Sequence, residues 1–145
     1  MTSEFYRNIV IATDGSENSQ RAISYGIEIA KLSGARVYGL HVIDTFSLSQ
    51  SWTAGKESLY EILKKDGEEA TFKVKECGEA SGVEVKEILL EGHPSNEIID
   101  FAENNDIDLI VMGTLGKTGL DRFLMGSVAE KVVRNSKVPV LVVRG

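Results

Sequence analysis

Glycines crowd a short stretch late in the chain, at Gly113, Gly116, Gly119 and Gly126, and Gly126 is followed by Ser127 where an apolar helical pattern begins. Glycine lets a backbone take positive φ and approach a ligand closely. The free N–H groups at a helix start attract anions, and the helix dipole adds to that attraction. The chemistry this combination suits is the cradling of a polyphosphate; the alternative is a glycine-shaped surface loop. Spacing excludes two familiar phosphate motifs. Gly116-Lys117-Thr118 ends like a P-loop, but Val111 stands where that motif needs its first glycine. Gly113 and Gly116 are three apart rather than two, and no such cluster follows the first apolar run, which argues against a dinucleotide fingerprint and so against NAD or FAD. Lys117 and Arg122 lie in the same loop and would offset phosphate charge.

A second concentration of polar and small residues is Thr13-Asp14-Gly15-Ser16. Asp14 suits a hydrogen bond to a ligand or the holding of Mg²⁺ through water, and an Asp before Gly is equally a turn former. The two histidines, His41 and His93, have no partner at metal or triad spacing and read as structural or solvent-facing. Phosphoryl transfer needs an oriented nucleophile and concentrated charge on the leaving group. Neither can be named, so no catalytic residue is assigned and the metal ligands stay unknown. The single cysteine, Cys77, cannot form an internal disulfide and reads as a packing residue of a helix.

The elements that must position these residues follow from hydrophobic patterning. Ile9 to Ala12, Leu109 to Met112 and Val140 to Val143 are apolar at nearly every position, as in strands buried on both faces of a parallel sheet. Val37 to Ile43 and Val83 to Leu90 are weaker strand candidates. Ala22, Ile23, Ile27 and Ala30 recur at helical spacing, with Gly34 as a C-terminal cap. Glu57 to Ala80 reads as a long amphipathic helix through Leu59, Ile62, Leu63, Ala70, Val74 and Cys77. Pro94 to Glu103 begins with a first-turn proline and carries Ile98, Phe101 and Ala102 on one side. Ser127 to Glu130 matches a capping box.

This alternation predicts an α/β fold, one domain over residues 1–145, with a five-stranded parallel open sheet in the common order 3-2-1-4-5 and helices on both faces. Ligands of such sheets bind beyond the carboxyl ends of the strands where strand order reverses. In that order strands one and four are neighbours, so the Asp14 turn and the glycine loop would face each other across one crevice. The stretch from Asp44 to Gly55, with Phe46, Leu48 and Trp52, reads either as a packed surface loop or as a ligand cover or subunit contact.

With 145 residues, 42% hydrophobic and 26% charged, the composition is that of a globular domain able to bury a core unaided. A formal charge of −6 and the lack of a long Lys/Arg run argue against nucleic-acid binding. No stretch approaches the roughly 20 apolar residues of a membrane span, and Met1 to Tyr6 lacks a signal-peptide core, so a cytoplasmic location is expected.

At these residues the chain resembles the universal stress proteins, whose ATP-binding members carry Gly, two residues, Gly, nine residues, then Gly and Ser or Thr. Here these are Gly113, Gly116, Lys117 to Met125, and Gly126-Ser127. The likeness extends to Asp14-Gly15-Ser16, Gly92-His93-Pro94 and Val138-Pro139-Val140. The resemblance implies ATP as ligand, with Mg²⁺. By position, Gly113, Thr114, Gly116, Gly126, Ser127 and Val128 would surround the ribose and phosphates. Ala12, Thr13 and Asp14 would line the nucleotide from strand one, Met112 would join them, and Val42 would meet the adenine. Ala12 stands where relatives often have proline and Leu115 where they often have histidine, which removes a polar group near the phosphates. The resemblance also implies a homodimer, and a bare apolar last strand at the sheet edge would be an aggregation hazard that pairing covers. The function so implied is a nucleotide-dependent regulatory module in the stress response, with an unidentified protein partner. The alternatives are a slow ATPase switch and a dimeric interaction module that does not bind nucleotide.

Overall fold

β-branched residues buried on both sides make the centre of the sheet. In β1 (Asn8–Ala12) the side chains of Ile9, Val10 and Ile11 are fully buried. β4 (Leu109–Gly113) beside it is buried through Met112. The computed structural model describes residues 4–46, 56–114 and 125–145. Around β1 and β4 lie β2 (Arg36–Asp44), β3 (Val85–Gly92) and β5 (Val140–Val143), all parallel, in the order β3-β2-β1-β4-β5. The strand order reverses between β1, which opens the chain, and β4, where Ile9 pairs with Leu109 and Ala12 with Met112.

Helices cover both faces. α1 (Gln20–Ser33) and α2 (Lys56–Ala80) pack on the side of Ile9, Ile11, Val37 and Val111. α3 (Pro94–Asn104) and α4 (Ser127–Asn135) pack on the side of Val10, Leu40, Ile110 and Met112. α1 buries Ala22, Ile23, Ile27 and Ala30 and ends at Gly34, whose φ of 75° directs its N–H to the Ala30 carbonyl at 2.8 Å. Asp108 accepts from the backbone N–H groups of Arg7 and Asn8, both at 2.9 Å, tying the start of β1 to the start of β4.

α2 comes unusually close to the sheet. A Cβ on Gly39 would sit 2.9 Å from Val74 Cβ, and one on Gly67 would sit 2.7 Å from Leu89 Cδ1 and 2.8 Å from His41 Cδ2. Side chains larger than hydrogen at these points would push the helix outward.

Several expected boundaries and faces change. β3 runs from Val85 to Gly92 rather than Val83 to Leu90: Val83 is buried, but in the turn after α2, where its N–H bonds to the Gly78 carbonyl. Ala70 and Val74 of α2 are buried, whereas Leu59 and Ile62 are 37% and 57% exposed. Their turns lie ahead of Gly67, which already covers the end of β2, and Tyr60 there bonds to Glu91 near the end of β3. The carboxylate of Glu91 holds the Tyr60 phenol above its usual range.

The capping box at Ser127 does not form. Gly126 is the N-cap of α4 with no side-chain bond, and Glu130 pairs with Arg134 at 2.6 Å instead. The helix begins where Thr114 takes the Gly126 N–H, so Ser127 is already its first residue. β5 lies at the sheet edge as its place in the expected order requires, but Val140, Leu141 and Val142, read as buried on both faces, are only half-buried there. Cys77 packs against the α1/α2-side core, and burial raises its thiol pKa.

Candidate functional site

β1 ends in a turn built around one carboxylate oxygen. Asp14 Oδ1 accepts from the Ser16 N–H at 2.9 Å, the Ser16 hydroxyl at 2.5 Å and the Ser19 hydroxyl at 2.8 Å. Gly15 follows with φ of 82°, a left-handed conformation natural to glycine, and its N–H bonds to Thr13 Oγ1 at 3.1 Å. A Cβ on Gly15 would lie 3.2 Å from that of Ala70 on α2, so the turn is pressed against that helix. Asp14 is therefore a turn former through Oδ1, while Oδ2 accepts no hydrogen bond among the described residues.

The turn after β4 lies alongside. Gly113 pairs with Val143 of β5, and the Thr114 N–H reaches the Val143 carbonyl at 3.1 Å. The Thr114 carbonyl accepts from Gly126 N–H at 2.5 Å, which closes the two ends of the glycine loop onto each other. The first intrahelical bond of α4 runs from Glu130 N–H to the Gly126 carbonyl at 3.0 Å. The amides of Ser127, Val128 and Ala129 thus have no acceptor within the helix, and no side chain caps it. Thr114 Oγ1 is buried with no hydrogen-bond partner among the described residues. Burying a hydroxyl unpaired costs about 1–3 kcal/mol, so this atom is poised to bond an incoming group.

Ala12, Met112 and Val42 all contribute to the apolar cluster on the α3/α4 side of the sheet, at or near the carboxyl ends of their strands. Ala12 pairs with Met112, and Thr13, itself buried, donates its N–H to the Leu40 carbonyl at 2.9 Å. Strand pairing thus brings Ala12, Thr13, Asp14, Met112, Gly113 and Thr114 to one end of the β1/β4 pair, and the Thr114–Gly126 bond adds Gly126. Val42 stands one strand further out, opposite Leu90. Gly116, Leu115, Lys117, Gly119 and Arg122 lie outside the described residues, as do Leu48 and Trp52. Among the described residues, no three His, Cys, Asp or Glu side chains gather as a metal site.

Both histidines have defined places. His41 is buried and its Nδ1 lies 2.8 Å from the Thr13 carbonyl; His93 Nδ1 is 3.2 Å from Ser95 Oγ, and its ring meets Phe46 edge-on at 5.5 Å. The reading of His41 as structural agrees with its burial, but its partner Thr13 was not legible, because neither metal nor triad spacing captures a bond between neighbouring strand ends.

A cleft of about 540 Å³ opens at the opposite, amino-terminal end of the sheet, lined in part by Arg7, Lys31, Arg36 and Glu84. Arg36 already faces Glu84 at 3.8 Å, and α1 and α2 both end beside this cleft. Helix carboxyl ends disfavour anions, so a phosphate ligand is better served at the crevice between β1 and β4.

Residues 5–144 match the universal stress protein family. Universal stress protein MJ0531 of Methanocaldococcus jannaschii is 49% identical over 144 residues, covering 96% of this chain and 82% of that protein. The solved structure of MJ0577, from the same organism, superposes with a TM-score of 0.84 at 34% identity, covering 97% of each chain. A universal stress protein from Archaeoglobus fulgidus, solved in complex with dAMP, superposes with a TM-score of 0.70 at 28% identity, covering 97% of this chain and 99% of that one. No described helix is long and apolar enough to cross a membrane.

Proposed function

Because this chain belongs to the universal stress protein family, we propose that it binds ATP in the crevice between the ends of β1 and β4 and serves the stress response as a nucleotide-dependent regulatory module. The observation that carries this reading is the buried Thr114 Oγ1, without a partner among the described residues and one backbone hydrogen bond away from a start of α4 that no described side chain caps. A hydroxyl, three helix-end amides and a glycine-rich connection form a donor set suited to phosphate oxygens. The dAMP bound by the Archaeoglobus relative supports an adenine nucleotide as the ligand class.

Within this reading, Ala12, Met112 and Val42 offer an apolar floor for the base, and Thr13 and Asp14 border the ribose. Thr114, Gly113, Gly116, Gly126, Ser127 and Val128 surround the phosphates. Asp14 Oδ2, which takes none of the turn's bonds, would accept from a ribose hydroxyl or help hold Mg²⁺ through water. The module works in the cytoplasm as a homodimer paired along the half-buried edge of β5, and ATP occupancy alters its affinity for a protein partner.

The test is calorimetric titration of protein stripped of nucleotide by reversible unfolding, with Mg-ATP and, for comparison, GTP. One ATP per subunit, favoured over GTP, is expected. No heat up to about millimolar ATP, equivalent to less than roughly 4 kcal/mol, would leave the glycine loop a structural feature. Phosphate release above that of a Gly113→Val control would make the module a slow ATPase instead.

A further inference from the structure

We propose that His41 is a positioning residue for this crevice: its Nδ1–H holds the Thr13 carbonyl and so sets the backbone that leads into the Asp14 turn. The inference rests on the reading of the crevice as a nucleotide site.

The ladder between β1 and β2 runs from Asn8 paired with Arg36 to Ala12 paired with Leu40, and its last bond is Thr13 N–H to the Leu40 carbonyl. Beyond that point the chain leaves the sheet, and the Thr13 carbonyl meets a side chain, with His41 Nδ1 at 2.8 Å. A carbonyl oxygen only accepts, so Nδ1 carries the hydrogen and the ring orientation is fixed by this bond. The slot for the ring is made by Gly67, since a Cβ there would stand 2.8 Å from Cδ2 and 3.4 Å from Nε2 of His41. One turn further along α2, Ala70 presses on Gly15. The same helix thus backs both ends of the Thr13–Gly15 segment, directly at Gly15 and through the imidazole at Thr13. Because His41 is 9% exposed and lies on the α2 side of β2, while Val42 belongs to the cluster on the opposite side, it acts on the backbone and not on the base.

A buried histidine that only satisfies its own polarity would affect stability and leave affinity alone, which gives the test its readout. ATP and adenosine titrations are made on wild type, His41→Leu and His41→Asn, with melting temperatures alongside. Asn places an N–H close to where Nδ1 stands; Leu offers no donor. The expected result is an affinity loss of about tenfold in His41→Leu, the scale of one buried hydrogen bond. That loss should be equal for ATP and adenosine, because the Thr13 side of the crevice serves both, and His41→Asn should restore most of it. A folded His41→Leu protein with wild-type affinity overturns the inference. If His41→Leu does not fold, imidazole ¹⁵N spectra of wild type decide: an Nδ1–H tautomer whose resonance shifts on ATP saturation supports the role, and an unmoved resonance overturns it. Failure of wild type itself to bind either ligand would bring down the nucleotide reading, visibly apart from any variant.

Discussion

Thr114→Val tests the crevice most sharply because its effects on stability and on binding have opposite signs. The substitution exchanges a hydroxyl for a methyl of similar size where the hydroxyl oxygen is buried and has no partner among the described residues. An unpaired buried hydroxyl costs about 1–3 kcal/mol; taking the lower end, because Thr114 as a whole is only half-buried, the ligand-free variant gains about 1 kcal/mol. For a domain of this size that raises the melting temperature by about 2–4 °C. On the proposed reading the wild-type hydroxyl bonds a charged phosphate oxygen in the nucleotide complex, worth about 1.5–3 kcal/mol, so Val should weaken ATP binding about tenfold to a hundredfold. Scanning calorimetry of stripped protein should show the variant melting above wild type. Saturating ATP should reverse that order, since ligand stabilises in proportion to its affinity. A variant that melts lower without ATP and binds ATP as wild type does would refute the reasoning, since the hydroxyl would then have a use within the chain.

Other outcomes separate turn, packing and assembly. Asp14→Asn keeps the Oδ1 acceptor for Ser16 and Ser19, so its melting temperature stays near wild type while ATP affinity falls; Asp14→Ala also loses about 0.5–2 kcal/mol of stability, as for a lost cap, both read by thermal melts and calorimetry. Gly78→Ala should destabilise by about 1–3 kcal/mol in urea titration, because its Cβ would meet Val85 Cγ2 and come within 3.1 Å of the Val83 carbonyl. A gain there, as helix propensity alone would give, would mean that α2 can lift from the sheet at no cost. Leu141→Lys, on the half-buried edge strand, should turn the proposed dimer into a monomer by light scattering; a mass that stays dimeric would exclude β5 as the interface.

The sheet was legible because burial on both faces leaves a plain record: Ile9 to Ala12 and Leu109 to Met112 are apolar throughout and form the two central strands. Gly34 was legible as a stop because the left-handed cap depends on local residue type. Periodicity reports burial and not pairing, which is why Val83, buried in a turn, drew β3 two residues early. It likewise assigned Leu59 and Ile62 to the core, since a pattern cannot tell how far a helix overruns the strands beneath it. At the site, the Asp14 turn and the glycines were visible as residue types. The competition at α4 was not: the Thr114 carbonyl takes the Gly126 N–H, and Gly126 rather than Ser127 is the N-cap. The bond from His41 to Thr13, which are 28 residues apart, depends on strand register.

The pairing of β1 with β4 also bears on when the protein becomes competent during synthesis. Asn8 to Ala12 are synthesised before their partners Leu109 to Met112, which follow about a hundred residues later. Thr114 in turn is anchored by Val143, near the end of the chain. A nascent chain can form the β1-β2-β3 layer early, but neither wall of the crevice is complete until the last strand docks. Such distant pairings form slowly because a long loop must close before any contact rewards it. A ligand held at this crevice would therefore favour chains in which β1, β4 and β5 have all docked.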